Sequence, residues 1–123
     1  MGRVETREEL FKRVFAYSLT GEVELEVEEH EKIEKDYLQR AYDHIVKNYD
    51  ELVGEISLFT KGYQISRVYK VDLALLIVAV YEIKNEKDIP TAVSINEALN
   101  LAKKYSTEKS AGFINGVLAN FAK

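Results

Sequence analysis

The sequence predicts an all-α domain of six to seven helices, and three observations carry that prediction. Apolar residues recur every three or four positions in nearly every segment. The interruptions are helix punctuation: Gly21, Gly62 and Pro90, with Ser66 and Thr107 at capping positions. Strand-like alternation is confined to one short stretch, where Val23, Leu25 and Val27 alternate with glutamates. With 123 residues, 46% of them hydrophobic, the chain is expected to form a single domain over residues 1–123 that buries a core without disulfides.

The first helix opens on Thr6-Arg7-Glu8-Glu9, which fits a capping box: the Thr6 hydroxyl accepts from the Glu9 amide and the Glu9 carboxylate reaches back. Leu10, Phe11, Val14, Phe15 and Ser18 follow at helical spacing, and Gly21 is the expected stop. Arg7 and Lys12 are read as lying off this apolar face, towards solvent or a ligand. From Glu22 to Lys35 the pattern is least regular. A lone strand would have no partner, so an acidic loop leading into a helix near Glu31 is predicted. Ile33, Tyr37, Leu38, Ala41, Ile45 and Val46 then mark a second helix to about Asn48.

Asp50 is a candidate cap for a third helix holding Leu52, Val53, Ile56 and Phe59, ended by Gly62. Ser66 is a candidate cap for a fourth. Its run Leu73 to Val80 is apolar nearly all round, the mark of a central buried helix. A buried strand competes for the same run, but the length from Ser66 to Lys84 favours helix. Asp88-Ile89-Pro90 marks a turn. A fifth helix carries Val93, Ala98, Leu101, Ala102 and Tyr105. Thr107 caps a sixth with Phe113, Ile114, Val117, Leu118 and Phe121.

Composition excludes several classes of function. There is no cysteine, hence no disulfide or thiolate metal site. Val71 to Val80 is too short for the roughly 20 residues of a membrane span, and Asp72 lies within it. Charges from Arg3 onward rule out a secretory signal. Met1-Gly2 with Thr6 meets a loose myristoylation pattern, read here as coincidence. A cytoplasmic protein is expected. The net charge is −4, but it is unevenly spread: residues 1–62 carry 9 Lys/Arg against 15 Asp/Glu, residues 63–123 carry 8 against 6. A basic patch is therefore compatible with the acidic sum.

No nucleophile elbow, phosphate-binding loop, dinucleotide fingerprint, HExxH or EF-hand loop is present, so no enzyme, cofactor or metal is expected. His30 and His44 read as surface residues, and the glutamate run as a solvated acidic face. Tyr105 and Phe113 stand apart from the other aromatics, because Lys103, Lys104 and Lys109 lie close by in sequence. Aromatic rings beside cations suit the stacking of unpaired bases, although Phe113 fits a core position equally well.

Val80-Tyr81-Glu82-Ile83, Asp88-Ile89-Pro90, the run Ser94 to Lys103 and Phe113-Ile114-Asn115-Gly116-Val117-Leu118 occur in an order and spacing that resemble the NusB signature. The match is close through residues 71–119 and looser in the first helix, where Arg3 and Thr6-Arg7-Glu8 fall where that family has an arginine-rich N-terminus. The resemblance implies two three-helix-type subdomains. It also implies pairing with the ribosomal protein NusE, joint binding of single-stranded boxA RNA, and a place in the RNA polymerase antitermination complex on ribosomal RNA operons. By position, it implies RNA contacts at Arg3, Arg7, Tyr105 and Phe113, with Lys103, Lys104 and Lys109 beside them. Phe15 and Asp72 fall at the partner surface. Asn96, Asn115 and Gly116 read as structural, Gly116 permitting close helix packing.

The chain departs from that pattern in ways that lower positive potential. Val4 and Glu5 interrupt the arginines, Ile77 stands where the family often has arginine, and Thr91-Ala92 and Ala111-Gly112 replace more basic segments. A NusB-like protein-interaction module with weak or no RNA binding is therefore the alternative reading. A homodimer that masks the RNA surface stays open. Ribosomal RNA cytosine methyltransferases carry a similar N-terminal domain. The chain ends at Lys123 with no methyltransferase segment after it, so that reading is not expected.

Overall fold

A computed structural model describes residues 2–22, 32–60 and 64–122 of the chain, apart from the side chain of Ser66. Most of the Glu22–Glu34 acidic stretch, His30 and the Gly62 stop lie outside the described residues. Within them, the chain forms six α-helices and one 3-10 turn: α1 (Arg3–Thr20), α2 (Lys35–Lys47), α3 (Tyr49–Ser57), the turn (Ile65–Arg67), α4 (Lys70–Asn85), α5 (Thr91–Tyr105) and α6 (Glu108–Leu118).

Helix α1 starts three residues before the expected cap. Thr6 lies inside its first turn, fully buried, and makes no capping box. Its hydroxyl donates to the Gly2 carbonyl at 2.6 Å and accepts from the Glu34 backbone N–H at 2.8 Å. The extra turn is held by this tertiary contact with the segment entering α2. Gly2 itself is pressed against that segment: a Cβ there would fall 1.4 Å from the Lys32 carbonyl oxygen. Close backbone approach is thus a sufficient physical reason for a glycine at this position. At the other end Gly21 takes φ 72°, and its N–H donates to Tyr17 O at 2.7 Å, the expected left-handed stop.

Helix α2 begins at Lys35 rather than near Glu31, and buries the stripe Tyr37, Leu38, Ala41, Tyr42 and Ile45. Asn48 joins it to α3 without a loop. The Asn48 N–H and side-chain amide both donate to His44 O, while the Asn48 carbonyl accepts the first bond of α3 from Leu52 N. Asp50 therefore sits in the first turn of α3, where its charge suits the helix dipole, rather than at the cap. Phe59, just past the end of α3, meets Phe121 edge-on at 5.2 Å.

Helix α4 is the hub. Every residue from Asp72 to Glu82 is buried, and the helix packs against each of the other five. This settles the competition between helix and strand for the apolar run. The helix starts at Lys70 with Tyr69 at the cap, because residues 65–67 form the 3-10 turn instead of a first α-turn capped by Ser66. Pro90 precedes α5 as its N-cap, and Thr107 caps α6 by accepting from Ser110 N at 3.2 Å. Helices α1–α3 and α4–α6 are the two sets of three, yet α4 lies between them and the buried residues form one cluster from Leu10 to Leu118.

Gly116 departs from its expected role. A Cβ there would meet open space, so it serves no close helix contact, and Asn96 and Asn115 are exposed. No helix among the described residues is long and apolar enough to cross a membrane.

Candidate nucleic-acid interface

Positions 7, 10, 11 and 14 share one face of α1, and that face is buried. Arg7 therefore points into the core rather than towards a ligand, a correction to its expected RNA contact. Its Nε donates to Glu82 Oε2 at 2.8 Å, and its Nη1 lies 3.9 Å from Glu97 Oε2. The Tyr37 hydroxyl donates to the same Glu82 oxygen, and Ser94 Oγ donates to Glu82 Oε1 at 2.9 Å. Burial, then the charge of Glu82, pushes the Tyr37 phenol far above its ordinary value, so it stays a proton donor. The network ties α1, α2, α4 and α5 together with both Glu82 oxygens satisfied.

Arg3 is half-exposed at the start of α1, on the flank that faces α2. Its guanidinium lies 3.9 Å over the Tyr37 ring, and its Nε pairs with Glu34 at 2.5 Å. Arg40 approaches the same ring at 5.5 Å and pairs with Glu86 at 2.8 Å. These cations are largely met by acids of this chain.

Tyr105 lies on the opposite flank of α1, at the seam with α5. Its ring packs against Phe11, tilted by 47° at 5.3 Å between centres, and Phe11 in turn lies 6.4 Å from Phe15. Lys104 Nζ stands 5.3 Å from the Tyr105 ring centre and Lys12 Nζ 6.0 Å. Glu8 sits between them. It accepts from Lys104 at 2.7 Å and from the Tyr105 hydroxyl, and these bonds, Lys104 first, hold its carboxyl below the usual value. Lys103 is exposed beside this cluster, and Phe15 is half-buried at the edge of the core. Arg3 and Tyr105 are thus not brought together; α1 separates them.

Asp72 departs from its expected place at a partner surface. It is only 4% exposed. Ser106 Oγ donates to one carboxylate oxygen at 2.7 Å and Ser110 Oγ to the other at 2.8 Å. The residue fixes the α5–α6 corner to the start of α4. Beside that corner lies an open groove of ≈ 410 Å³, lined by Phe113 and Lys109 from α6 and by Arg67 and Tyr69 from the approach to α4. Neither of the latter two is among the residues expected from the sequence, although Arg67 and Lys70 lie close to Tyr69 along the chain. The departure at Ile77 also changes meaning: the residue is fully buried, so it subtracts nothing from the charge of the surface.

Comparison with known proteins gives a consistent picture. Residues 3–123 match the NusB family. The chain is 42% identical over 132 residues to the transcription antitermination protein NusB of Agathobacter rectalis, covering 99% of this chain and 100% of that protein. It is 39% identical over 130 residues to the protein of the same name from Acetivibrio thermocellus, covering 100% and 90%. Among solved structures, NusB of T. maritima superposes with a TM-score of 0.86 at 30% identity, over 99% of this chain and 91% of that one.

Proposed function

The chain belongs to the NusB family, and from that premise we propose that it is a non-enzymatic transcription antitermination factor of the cytoplasm. It binds boxA-type single-stranded RNA jointly with the ribosomal protein NusE, and promotes processive transcription of ribosomal RNA operons within the RNA polymerase antitermination complex. The observation that carries the reading is the α1–α5 seam. There a partly exposed Tyr105 ring has the ammonium groups of Lys12 and Lys104 within about 6 Å, a grouping of ring and cations that suits a stacked base and its phosphates. Lys103, Lys109 and Phe113 extend that strip, Arg3 contributes from the far flank, and Phe15 meets the partner. The net charge of −4 opposes RNA at long range. Joint binding with a partner is consequently part of the proposal.

Titration of labelled boxA RNA and a scrambled control, with and without NusE, at low and moderate salt, tests it. Preferential and salt-sensitive binding of boxA RNA, tightened by NusE, is the expected result. Absence of both RNA and NusE binding would end the reading. NusE binding without RNA would leave a protein-interaction module instead. Tyr105→Ala, once its fold has been checked by circular dichroism, should weaken RNA binding by about 1–3 kcal/mol, the worth of one stacked base.

A second variant has the opposite sign. Glu8 occupies Lys104, so an incoming phosphate must displace it. Glu8→Gln keeps an acceptor for the Tyr105 hydroxyl but removes the competing charge. RNA should bind severalfold tighter, with a salt dependence of log K steeper by about one. Equal affinity and slope in the variant would remove Lys104 from the RNA path.

A further inference from the structure

We propose that the groove between the corner leading into α4 and helix α6 is a second nucleotide subsite, in which Tyr69 stacks an unpaired base while Arg67 and Lys109 hold its phosphates. This rests on the RNA-binding function proposed above and adds Tyr69 and Arg67, which lie outside the strip named there, to Lys109 and Phe113, which belong to it.

Tyr69 is 63% exposed, far more than the other aromatic rings around the core. Its backbone is nevertheless fixed. The Tyr69 carbonyl accepts the first bond of α4 from Leu73 N at 2.9 Å, and the preceding Val68 is buried. A ring projecting from a rigid corner loses little freedom when a base lands on it.

The charge of the groove selects the occupant. Arg67 and Lys109 are exposed, and no acid among the described residues pairs with either. The single carboxylate in the lining, Asp72, is buried, and both of its oxygens already accept from serine hydroxyls. The groove therefore presents two open cations and two aromatic rings, Tyr69 and Phe113. A protein segment would have to place separate carboxylates against the cations, whereas a nucleotide carries its anion and its ring face in one unit. A volume of ≈ 410 Å³ lies in the range that takes a ligand of that size. The groove is tied to the end of α5 through Ser106, which follows Tyr105 in the chain and bonds the Asp72 that lines the groove.

The test uses the full chain with NusE and a fluorescein-labelled single-stranded RNA carrying the boxA element. Tyr69→Ala should weaken RNA binding by about tenfold and Tyr69→Phe should restore it, while thermal midpoints stay unchanged because the ring is exposed. Arg67→Gln should weaken binding and flatten the dependence of log K on log salt by about one. A photo-cross-link from 4-thiouridine RNA to the peptide containing Tyr69 would support the same assignment. If Tyr105→Ala weakens RNA binding while Tyr69→Ala and Arg67→Gln bind as the parent does, the groove is not a subsite, though the proposed function stands. If Tyr69→Ala instead impairs NusE binding or changes the oligomeric state at unchanged RNA affinity, the groove is a protein contact and the inference is overturned. If the parent protein binds no RNA, both proposals fall.

Discussion

Arg7→Ala is expected to destabilise the fold by about 3–5 kcal/mol, the usual result of removing one member of a buried ion pair. Glu82 is fully buried, so the variant leaves a carboxylate in the core with two hydroxyl donors and no cation at bonding distance. Whole-domain stabilities run to about 5–15 kcal/mol, so the loss would consume a large share. Urea denaturation followed by circular dichroism measures it directly. A double variant, Arg7→Met with Glu82→Gln, should recover much of the loss, because an uncharged pair of similar volume removes the desolvation penalty on both sides. RNA affinity per folded molecule should not change. If Arg7→Ala unfolds at the parent's urea midpoint yet loses RNA, then Arg7 is a ligand contact and its buried role is refuted.

Leu76→Ala should cost about 2–5 kcal/mol. Leu76 is fully buried on α4, which packs against all five other helices, so neighbours pulled in from one side open gaps on another and the cavity cannot collapse fully. Leu58→Ala is the matched control. That leucine is 75% exposed just beyond α3, and its truncation should fall within about 0.5 kcal/mol of the parent. Thermal unfolding of the pair measures the contrast. Equal midpoints would mean that α4 is not the centre of the core.

Elements whose boundaries depend on local chemistry are legible in the sequence. The Gly21 stop, the Thr107 cap and the break at Pro90 each act through their own backbone or the next turn. The starts of α1 and α4 are not. Thr6 has the right neighbours for a capping box, but its hydroxyl is taken by Gly2 and Glu34, a bond across 28 residues that no local pattern reports. Residues 65–67 likewise close a 3-10 turn where a capped first turn of helix was expected.

Site residues divide along the same line. Tyr105 stands out in the sequence because lysines lie next to it, and Lys104 does flank its ring in space. Arg7, expected off the apolar face of α1, lies on its buried face, as its spacing from Leu10, Phe11 and Val14 requires. Asp72 carried the same ambiguity: a charge at the head of an apolar helix suits a partner surface or a buried hydroxyl pair equally well, and two serines from the α5–α6 corner decide it.

From the sequence alone follow the helical class, the central apolar helix and the aromatic–lysine grouping at the end of α5, because periodicity, caps and adjacency are properties of neighbours along the chain. Only the tertiary structure decides which charges are available to a ligand. Arg7 and Asp72 are taken inside by partners far away in sequence, Ile77 vanishes into the core, and Arg67 and Tyr69 are left open at the surface. The physical reason is that a charge's availability depends on its burial and on the opposite charges or hydrogen-bonding groups folded against it, and both are fixed only when distant segments meet.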